Sequence, residues 1–251
     1  MELEIAVLSR TGGRSVNEDA CGFWSGPGVC FSVLSDGAGG HGGGDVASKL
    51  VVQEILAWFR ERAECSAEAI QTAIKCANDA VVREQGSEDR LADMRATVVV
   101  LAVDFDRDLA SWGHLGDSRL YCFRDAQIVK QTRDHSVVQS MVEAGYLEPN
   151  ELRSSPERSK LLQALGDNDA FDPSVEPELF RVEPNDRFLM CSDGLWEYVQ
   201  ESELEGTLQE SASAEEWLRS LEARVLARGR AKHDNYSAVA IWCKPETNYD
   251  C

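Results

Sequence analysis

The sequence predicts an α+β fold in which helices cover antiparallel sheets. Two observations carry this prediction: strand-like runs occur in groups, and pairs of helical patterns stand between the groups. A repeating strand-helix-strand pattern, which would indicate a parallel sheet, does not occur. No low-complexity stretch or linker rich in Pro, Gly and Ser divides the chain, so we expect one domain over residues 1–251.

The amino-terminal half begins with strands and continues with helices. Apolar runs predict strands over residues 4–9 and 29–35, with a polar, turn-rich segment over residues 10–19 between them. Apolar residues recur at helical intervals over residues 46–62, and less strongly over residues 67–83. Both helices should pack one face on a sheet.

The rest of the chain returns to strands. Short β-branched and apolar runs predict an antiparallel meander over residues 96–103, 110–115, 119–123 and 127–131. A short helix is expected over residues 136–144, followed by a polar stretch without clear period over residues 147–160. Buried strands are predicted over residues 187–191 and 237–242, with a helix over residues 214–228 between them.

Composition limits the partners. The formal net charge of −19 leaves no basic face for nucleic acid or an anionic membrane, so we expect neither partner. The first residues lack a basic and apolar leader, and no run of about 18 apolar residues occurs. The eight cysteines form no CxxC pair, which favours reduced thiols. We therefore expect a soluble, cytoplasmic monomer.

Acidic residues stand at predicted strand ends and turns in five short segments. These are Asn17-Glu18-Asp19, Ser35-Asp36-Gly37, Gly116-Asp117-Ser118-Arg119, Ser192-Asp193-Gly194 and His233-Asp234-Asn235. A carboxylate directly after a strand is held rigidly while its oxygens point away from the sheet, which suits a metal site. Asp and Asn beside Gly are also common turn formers, and Asp117 would suit a hairpin turn. Five such segments together favour a metal site.

A glycine-rich segment follows Asp36. Six of the eight residues from Gly37 to Gly44 are glycine, and a predicted helix follows at once. Glycine allows close backbone approach to a ligand and lets a carbonyl turn inward as a hard oxygen ligand. A phosphate-cradling loop is an alternative, although the Lys-Ser/Thr pair of a P-loop is absent, and a flexible linker is another.

Carboxylates with a carbonyl favour Mg²⁺ or Mn²⁺ over Zn²⁺. Two such ions about 3.5–4 Å apart can share a carboxylate, activate a bridging water and stabilise an in-line displacement at phosphorus. The expected reaction is hydrolysis of a phosphoester. Arg14 stands in the loop before Asp19, where its planar fork could hold two phosphate oxygens, although a solvated surface arginine fits the sequence equally well.

These residues, in this order, resemble the metal-dependent protein phosphatase family (PPM, type 2C). The resemblance covers nearly the whole chain and rests on Arg14-Ser-Val-Asn-Glu-Asp19, Asp36-Gly-Ala-Gly-Gly-His41, Ala47-Ser48, Gly116-Asp-Ser-Arg119, Asp134-His-Ser136, Ala164-Leu-Gly166, Ser192-Asp-Gly-Leu-Trp196 and Asp234-Asn235. It implies a central β-sandwich of two antiparallel sheets flanked by helix pairs. It also implies hydrolysis of phosphoserine and phosphothreonine in proteins.

The resemblance assigns roles to individual residues. Asp36, Asp193 and the phosphate-binding Arg14 form the implied catalytic set, and residues 145–159 correspond to the flap beside the active site. The implied metal ligands are Glu18, Asp19, Asp36, Gly37, Asp117, Asp193 and Asp234. Asp36 would bridge two tightly bound Mn²⁺ or Mg²⁺ ions, and Asp117 with Asp193 would hold a weaker third.

Some positions depart from the family pattern. Ala38 stands where animal relatives have a histidine proposed as general acid, so no residue is assigned to protonate the leaving group, and His41 is interpreted as structural. The compact size and the opening around Arg14 are similar to phosphatases that accompany bacterial type VI secretion and oppose a partner kinase. The expected partners are therefore a phosphoprotein and a Ser/Thr kinase. A catalytically silent binding module on the same fold and a hydrolase of small phosphoesters are the alternatives.

Overall fold

The computed structural model describes residues 1–39, 43–167 and 171–246. Five strands form the first antiparallel sheet: β1 (Glu2–Arg10), β7 (Arg119–Arg124), β8 (Gln127–Gln131), β11 (Arg187–Cys191) and β12 (Tyr236–Lys244). Their order across the sheet is β1-β12-β11-β7-β8. The two ends of the described chain therefore pair with each other, Glu2 opposite Lys244.

The second antiparallel sheet has seven strands in the described residues. They are β2 (Asp19–Gly26), β3 (Val29–Ala38), β4 (Arg95–Ala96), β5 (Val98–Asp104), β6 (Leu109–Leu115), β9 (Ser174–Val175) and β10 (Phe180–Arg181). The main path runs β10-β6-β5-β3-β2, while β4 pairs with the end of β3 and β9 pairs with β6.

Helices cover the outer face of each sheet. The long helices α1 (Gly44–Arg62) and α2 (Ala67–Gln85) pack on the second sheet. On the side of the first sheet lie α4 (Asp193–Trp196), α5 (Glu201–Glu210) and α6 (Ala214–Arg228). The short α3 (Val137–Glu143) and 3₁₀ turns at Asp89–Leu91 and Pro149–Ser154 complete the described elements. The expected sandwich with flanking helices is confirmed.

The core has three apolar layers because both sheets are buried on both faces. Along β5, Val98 and Val100 face the helices, whereas Val99 and Leu101 face the other sheet, as the strand period of two requires. Phe31 is fully buried and stacks on Phe59 of α1 with ring centroids 4.0 Å apart. Burying one such side chain stabilises the fold by about 1.5–3 kcal/mol.

The predicted meander is wrong at its centre. β5 pairs with β6 and β7 pairs with β8, but β6 and β7 lie in different sheets. The connection Gly116–Ser118 therefore crosses from one sheet to the other and is not a hairpin turn. The error has a physical cause: strands buried on both faces have no apolar-polar alternation that would assign them to a sheet.

Candidate metal centre

Asp19 and Asp36 lie side by side at one end of the second sheet. Asp19 opens β2 and is the register partner of Asp36 near the end of β3. Asp19 Oδ2 accepts a hydrogen bond of 2.8 Å from Ser192 Oγ, whereas the buried Asp19 Oδ1 has no hydrogen-bond partner among the described residues. Burial raises the pKa of Asp19 to about 6. Burial, and next to it the charge of Asp19, raises the pKa of Asp36 well above its usual value.

Asp193 approaches from the first sheet. Strand β11 ends at Cys191, and Asp193 is the first residue of α4. Its Oδ1 is buried without a hydrogen-bond partner in the part of the chain that the structure describes. Burial and the charge of Asp117 raise the pKa of Asp193. A Cβ at Gly194 would lie 1.9 Å from the carbonyl oxygen of Asn235, so only glycine allows this loop to approach the residue after Asp234 so closely.

Asp117 lies on the crossover between the sheets. It is 5% exposed, and burial raises its pKa to about 7. The indole Nε1–H of Trp196 donates a hydrogen bond of 2.9 Å to the Asp117 carbonyl oxygen. The charge of Asp117 contributes to the raised pKa values of Asp36 and Asp193, which indicates that the crossover brings Asp117 close to both carboxylates.

Glu18 and Gly37 converge at the start of α1. A Cβ on Gly44 would lie 2.8 Å from both Glu18 Oε1 and the Gly37 carbonyl oxygen, which shows how close these two oxygen atoms are. The Glu18 N–H donates to Asn235 Oδ1 at 2.8 Å, and the Gly37 N–H donates to the Glu18 carbonyl at 3.0 Å. Burial, followed by the charge of Asp45, raises the pKa of Glu18.

Arg14 and Asp234 lie together at the more exposed side of the cluster. Arg14 Nη2 donates to Asp234 Oδ2 at 2.6 Å, and the two side chains are 53% and 43% exposed. Asn235 ties this region together, because its Nδ2 donates to the carbonyls of Thr11 and Val16. Arg14 is thus at the edge of the acidic cluster rather than on a remote surface.

The donor set fits a hard divalent cation. Two buried carboxylate oxygens, Asp19 Oδ1 and Asp193 Oδ1, lack hydrogen-bond partners within the described ranges, and the Gly37 carbonyl lies beside Glu18. Carboxylate and carbonyl oxygens are the ligands that Mg²⁺ and Mn²⁺ prefer. Among the described residues, no group of three or more His, Cys, Asp or Glu side chains is positioned to hold a metal ion as it stands. Two of the expected ligands accept hydrogen bonds from protein side chains: Asp234 from Arg14 and Asp19 from Ser192.

Two residues of the centre stand outside the five acidic segments. Thr97 Oγ1 accepts from the Asp36 N–H at 3.0 Å and shares a hydrogen bond of 2.7 Å with Ser118 Oγ, so it joins the Asp36 and Asp117 segments. Glu197 pairs with Arg158 at 2.7 Å and lies close enough to raise the pKa of Asp193. Its spacing of four from Asp193 on one helical turn is the signal that could have found it.

The glycine-rich segment is only partly described. His41, with Gly40 and Gly42, lies outside the described residues. Ala38 is exposed and pairs with Arg95 in the short β3-β4 ladder. It has no titratable group, so the proton donor to the leaving group stays unassigned.

The comparison with known proteins decides the family. The model of the family described as Protein phosphatase 2C matches residues 9–234. The chain belongs to the protein phosphatase 2C family. The expected resemblance to this family is confirmed.

Relatives of this phosphatase chain include well-described bacterial proteins. "Serine/threonine protein phosphatase PstP" of Mycobacterium tuberculosis is 32% identical over 229 residues, which are 90% of this chain and 42% of PstP. This chain therefore spans less than half the length of that relative. The solved catalytic domain of PstP in complex with two manganese ions has a TM-score of 0.82 and 27% identity, covering 97% of this chain and 99% of that domain.

A solved structure of a secretion-system component is also similar to this chain. The structure of PppA, described as a key regulatory component of T6SS in Pseudomonas aeruginosa, has a TM-score of 0.76 and 31% identity. The match covers 96% of this chain and 97% of PppA. Within the described residues, no helix of this chain is both long and apolar enough to cross a bilayer.

Proposed function

We propose that this phosphatase hydrolyses phosphoserine and phosphothreonine in proteins, with a water activated by divalent cations. The observation that carries the proposal is the pair of partnerless buried oxygens, Asp19 Oδ1 and Asp193 Oδ1, beside the Gly37 carbonyl. Buried polar atoms normally have partners, so each of these oxygens indicates a ligand that would satisfy it. A silent module would have no use for such a cluster, because crowded buried carboxylates oppose folding.

The protein residues divide the work. Asp36 and Gly37 would contribute to holding both ions. Asp193 and Asp234 would complete the site of the first ion, and Glu18 and Asp19 would bind the second. When bound, the ions would supply an activated water and positive charge that stabilises the displacement at phosphorus. Arg14 lies at the exposed edge of the cluster, where a substrate can reach it. It would release the Asp234 carboxylate and bind two phosphate oxygens of the substrate instead.

A third, weaker ion is proposed near Asp117 and Asp193. Its support is the proximity of the two buried carboxylates, each with a raised pKa. Mn²⁺ is the first candidate for all three positions, since a PstP catalytic domain of similar fold was solved with two manganese ions. Mg²⁺ has the same preference for oxygen ligands.

Substrate choice is assigned to the flap over residues 145–159. This segment contains the 3₁₀ turn Pro149–Ser154 and is tied to the metal centre by two arginines. Arg153 donates to the Trp196 carbonyl at 2.9 Å, and Arg158 pairs with Glu197 at 2.7 Å. Because Tyr146 at its start is 81% exposed, an aromatic ring is available there to a docking polypeptide.

The proposed partners are a phosphoprotein and the Ser/Thr kinase that modifies it. The similarity to PppA supports a place in type VI secretion control. The chain would act in the cytoplasm, which agrees with the free state of every described cysteine, and it would act as a monomer.

The test compares hydrolysis of phosphopeptides, an aryl phosphate and nucleotides with manganese and with a chelator. Phosphopeptide turnover that needs manganese and exceeds nucleotide turnover is the expected result. Asp193→Asn should reduce turnover by more than the roughly 10- to 100-fold typical of an outer-shell partner. Asp79→Asn, on the exposed surface of α2 where Asp79 pairs with Lys75, is the matched control. Turnover by Asp193→Asn equal to that of the parent would overturn the proposal, and a preference for nucleotides would favour the small-phosphoester alternative.

A further inference from the structure

His135 holds both backbone polar groups of Gly116, the residue before Asp117. The Gly116 N–H donates to His135 Nδ1 at 3.2 Å, and the His135 N–H donates to the Gly116 carbonyl at 2.8 Å. Gly116 has a φ of +104°, and a Cβ there would lie 2.7 Å from Thr97 Cγ2. The crossover loop is therefore pressed against Thr97 on one side and clamped by one histidine on another.

The hydrogen bonds specify which ring nitrogen of His135 carries the proton. Because the Gly116 N–H donates to Nδ1, Nδ1 is the unprotonated nitrogen. The proton is on Nε2, which donates to Ser174 Oγ at 2.9 Å. His114 stacks on this ring with centroids 4.6 Å apart and planes 11° apart, and donates its own Nε2–H to the Arg133 carbonyl at 2.7 Å.

The surroundings keep His135 neutral. Burial, together with the neighbouring His114, lowers the pKa of His135 to about 4. A protonated ring would carry a hydrogen on Nδ1 and could no longer accept from Gly116. Near neutral pH the clamp is therefore intact.

We propose that His135 is a positioning residue for Asp117, fixing the crossover loop so that the Asp117 carboxylate is held toward the metal centre. The opposite end of the same short loop is fixed by Trp196, which donates to the Asp117 carbonyl at 2.9 Å. Asp117 is thus held between two aromatic side chains from different parts of the fold. The inference rests on the proposed role of Asp117 in binding a third ion.

Two substitutions separate the two sides of the ring. His135→Asn keeps a polar atom at the position of Nδ1, and His135→Gln keeps one at the position of Nε2. His135→Gln should raise the manganese concentration for half-maximal activity by roughly 10- to 100-fold, as is typical for loss of an outer-shell partner. His135→Asn should stay within a few-fold of the parent. His114→Gln removes the stacked ring without touching the loop and is the matched control, expected to need parent-like manganese.

A second measurement does not depend on activity. In the metal-free protein, ¹⁵N spectra of the histidine rings should show the His135 proton on Nε2. The Gly116 amide should be protected from hydrogen exchange in the parent and in His135→Asn, and should exchange faster in His135→Gln. A proton on Nδ1, or equal Gly116 exchange in all variants, would overturn the positioning role.

Activity measurements distinguish failure of the positioning role of His135 from failure of the proposed phosphatase function. If the parent has no phosphatase activity, the proposed function fails, while exchange at Gly116 still reports whether His135 clamps the loop. If Asp117→Asn raises the manganese requirement but His135→Gln does not, the positioning role alone is overturned. If Asp117→Asn has no effect, both the third-ion role and the positioning role are overturned.

Discussion

Asp19 and Asp36 face each other directly across the β2-β3 ladder, in register at the end of the second sheet. Like charges in directly opposite positions of a ladder destabilise it, and burial makes the repulsion stronger. Burial is the leading cause of the raised pKa of each group, and the charge of Asp19 adds to the rise at Asp36. A cation placed at these carboxylates would remove the cost.

Manganese should therefore stabilise the folded chain. At a free ion concentration about 100 times the Kd, binding contributes about 2.7 kcal/mol. For a chain of 251 residues this corresponds to a rise in Tm of about 5–10 °C. In Asp36→Asn the rise should nearly vanish, while the metal-free variant melts no lower than the metal-free parent. Thermal melts with manganese and with chelator check this, and an undiminished shift in Asp36→Asn would contradict it.

Arg14→Ala should weaken substrate binding more than chemistry. A bidentate phosphate contact acts in the ground state and in the transition state, so we expect a raised KM and a smaller fall in kcat. The same change frees the Asp234 carboxylate from its ion pair, so the manganese requirement should not rise. Arg14→Lys keeps the charge without the fork and should be intermediate. A KM for phosphopeptide equal to that of the parent would make Arg14 a surface residue.

The sequence predicts those elements whose pattern is strong and local. The strand Arg187–Cys191 and the helix Ala214–Arg228 have the predicted bounds. Strand β2 was missed because its residues, Asp-Ala-Cys-Gly-Phe-Trp-Ser-Gly, are largely small or polar and half-buried. The polar stretch after residue 147 contains a 3₁₀ turn, Pro149–Ser154, whose short length leaves no helical period to detect.

The candidate site also divides into residues that short local motifs reveal and residues that only the folded contacts reveal. Asp36, Asp193 and Asp234 stand in short motifs that sequence alone reveals, and the structure brings their segments together through Gly194 and Asn235. Their roles as metal ligands stay predictions. Thr97 and Glu197 were missed because their contribution depends on contacts with residues distant in sequence, Asp36 and Arg158.

Thr97→Val should destabilise the protein while preserving side-chain shape. It removes the hydroxyl that accepts from the Asp36 N–H and that bonds Ser118 Oγ, and leaves both buried groups unpaired. Leaving a buried polar group unpaired costs about 1–3 kcal/mol. Thr97→Ser keeps the hydroxyl and is the control. Denaturant melts should separate the two variants, and equal stability would show that the hydroxyl contributes nothing.

Acid should destabilise the chain through His135. Its folded pKa of about 4 lies below the ordinary value of 6.5, so the unfolded chain takes up a proton first as pH falls. The stability is therefore complete above pH 6.5 and is lost progressively between pH 6.5 and 4. His135→Asn, which cannot be protonated, should show a shallower fall in Tm across that window. Parallel Tm curves for the parent and the variant would contradict the assignment of a neutral, half-buried His135.

Asp117→Asn tests the role of the carboxylate on the connection between the two sheets. Because Asp117 does not lie in a hairpin turn but on a buried connection between sheets, the substitution changes a carboxylate that faces other acids. Removing that charge relieves burial cost, so the variant should melt at or above the parent temperature without metal. It should still bind two ions by calorimetry, since Asp36 and Asp193 are intact, yet lose most phosphopeptide turnover at manganese levels that saturate the parent. Turnover should recover in part as manganese is raised, because one ligand of a weak site is lost and the tighter sites are not. A parent-like manganese titration would show that Asp117 serves only the crossover.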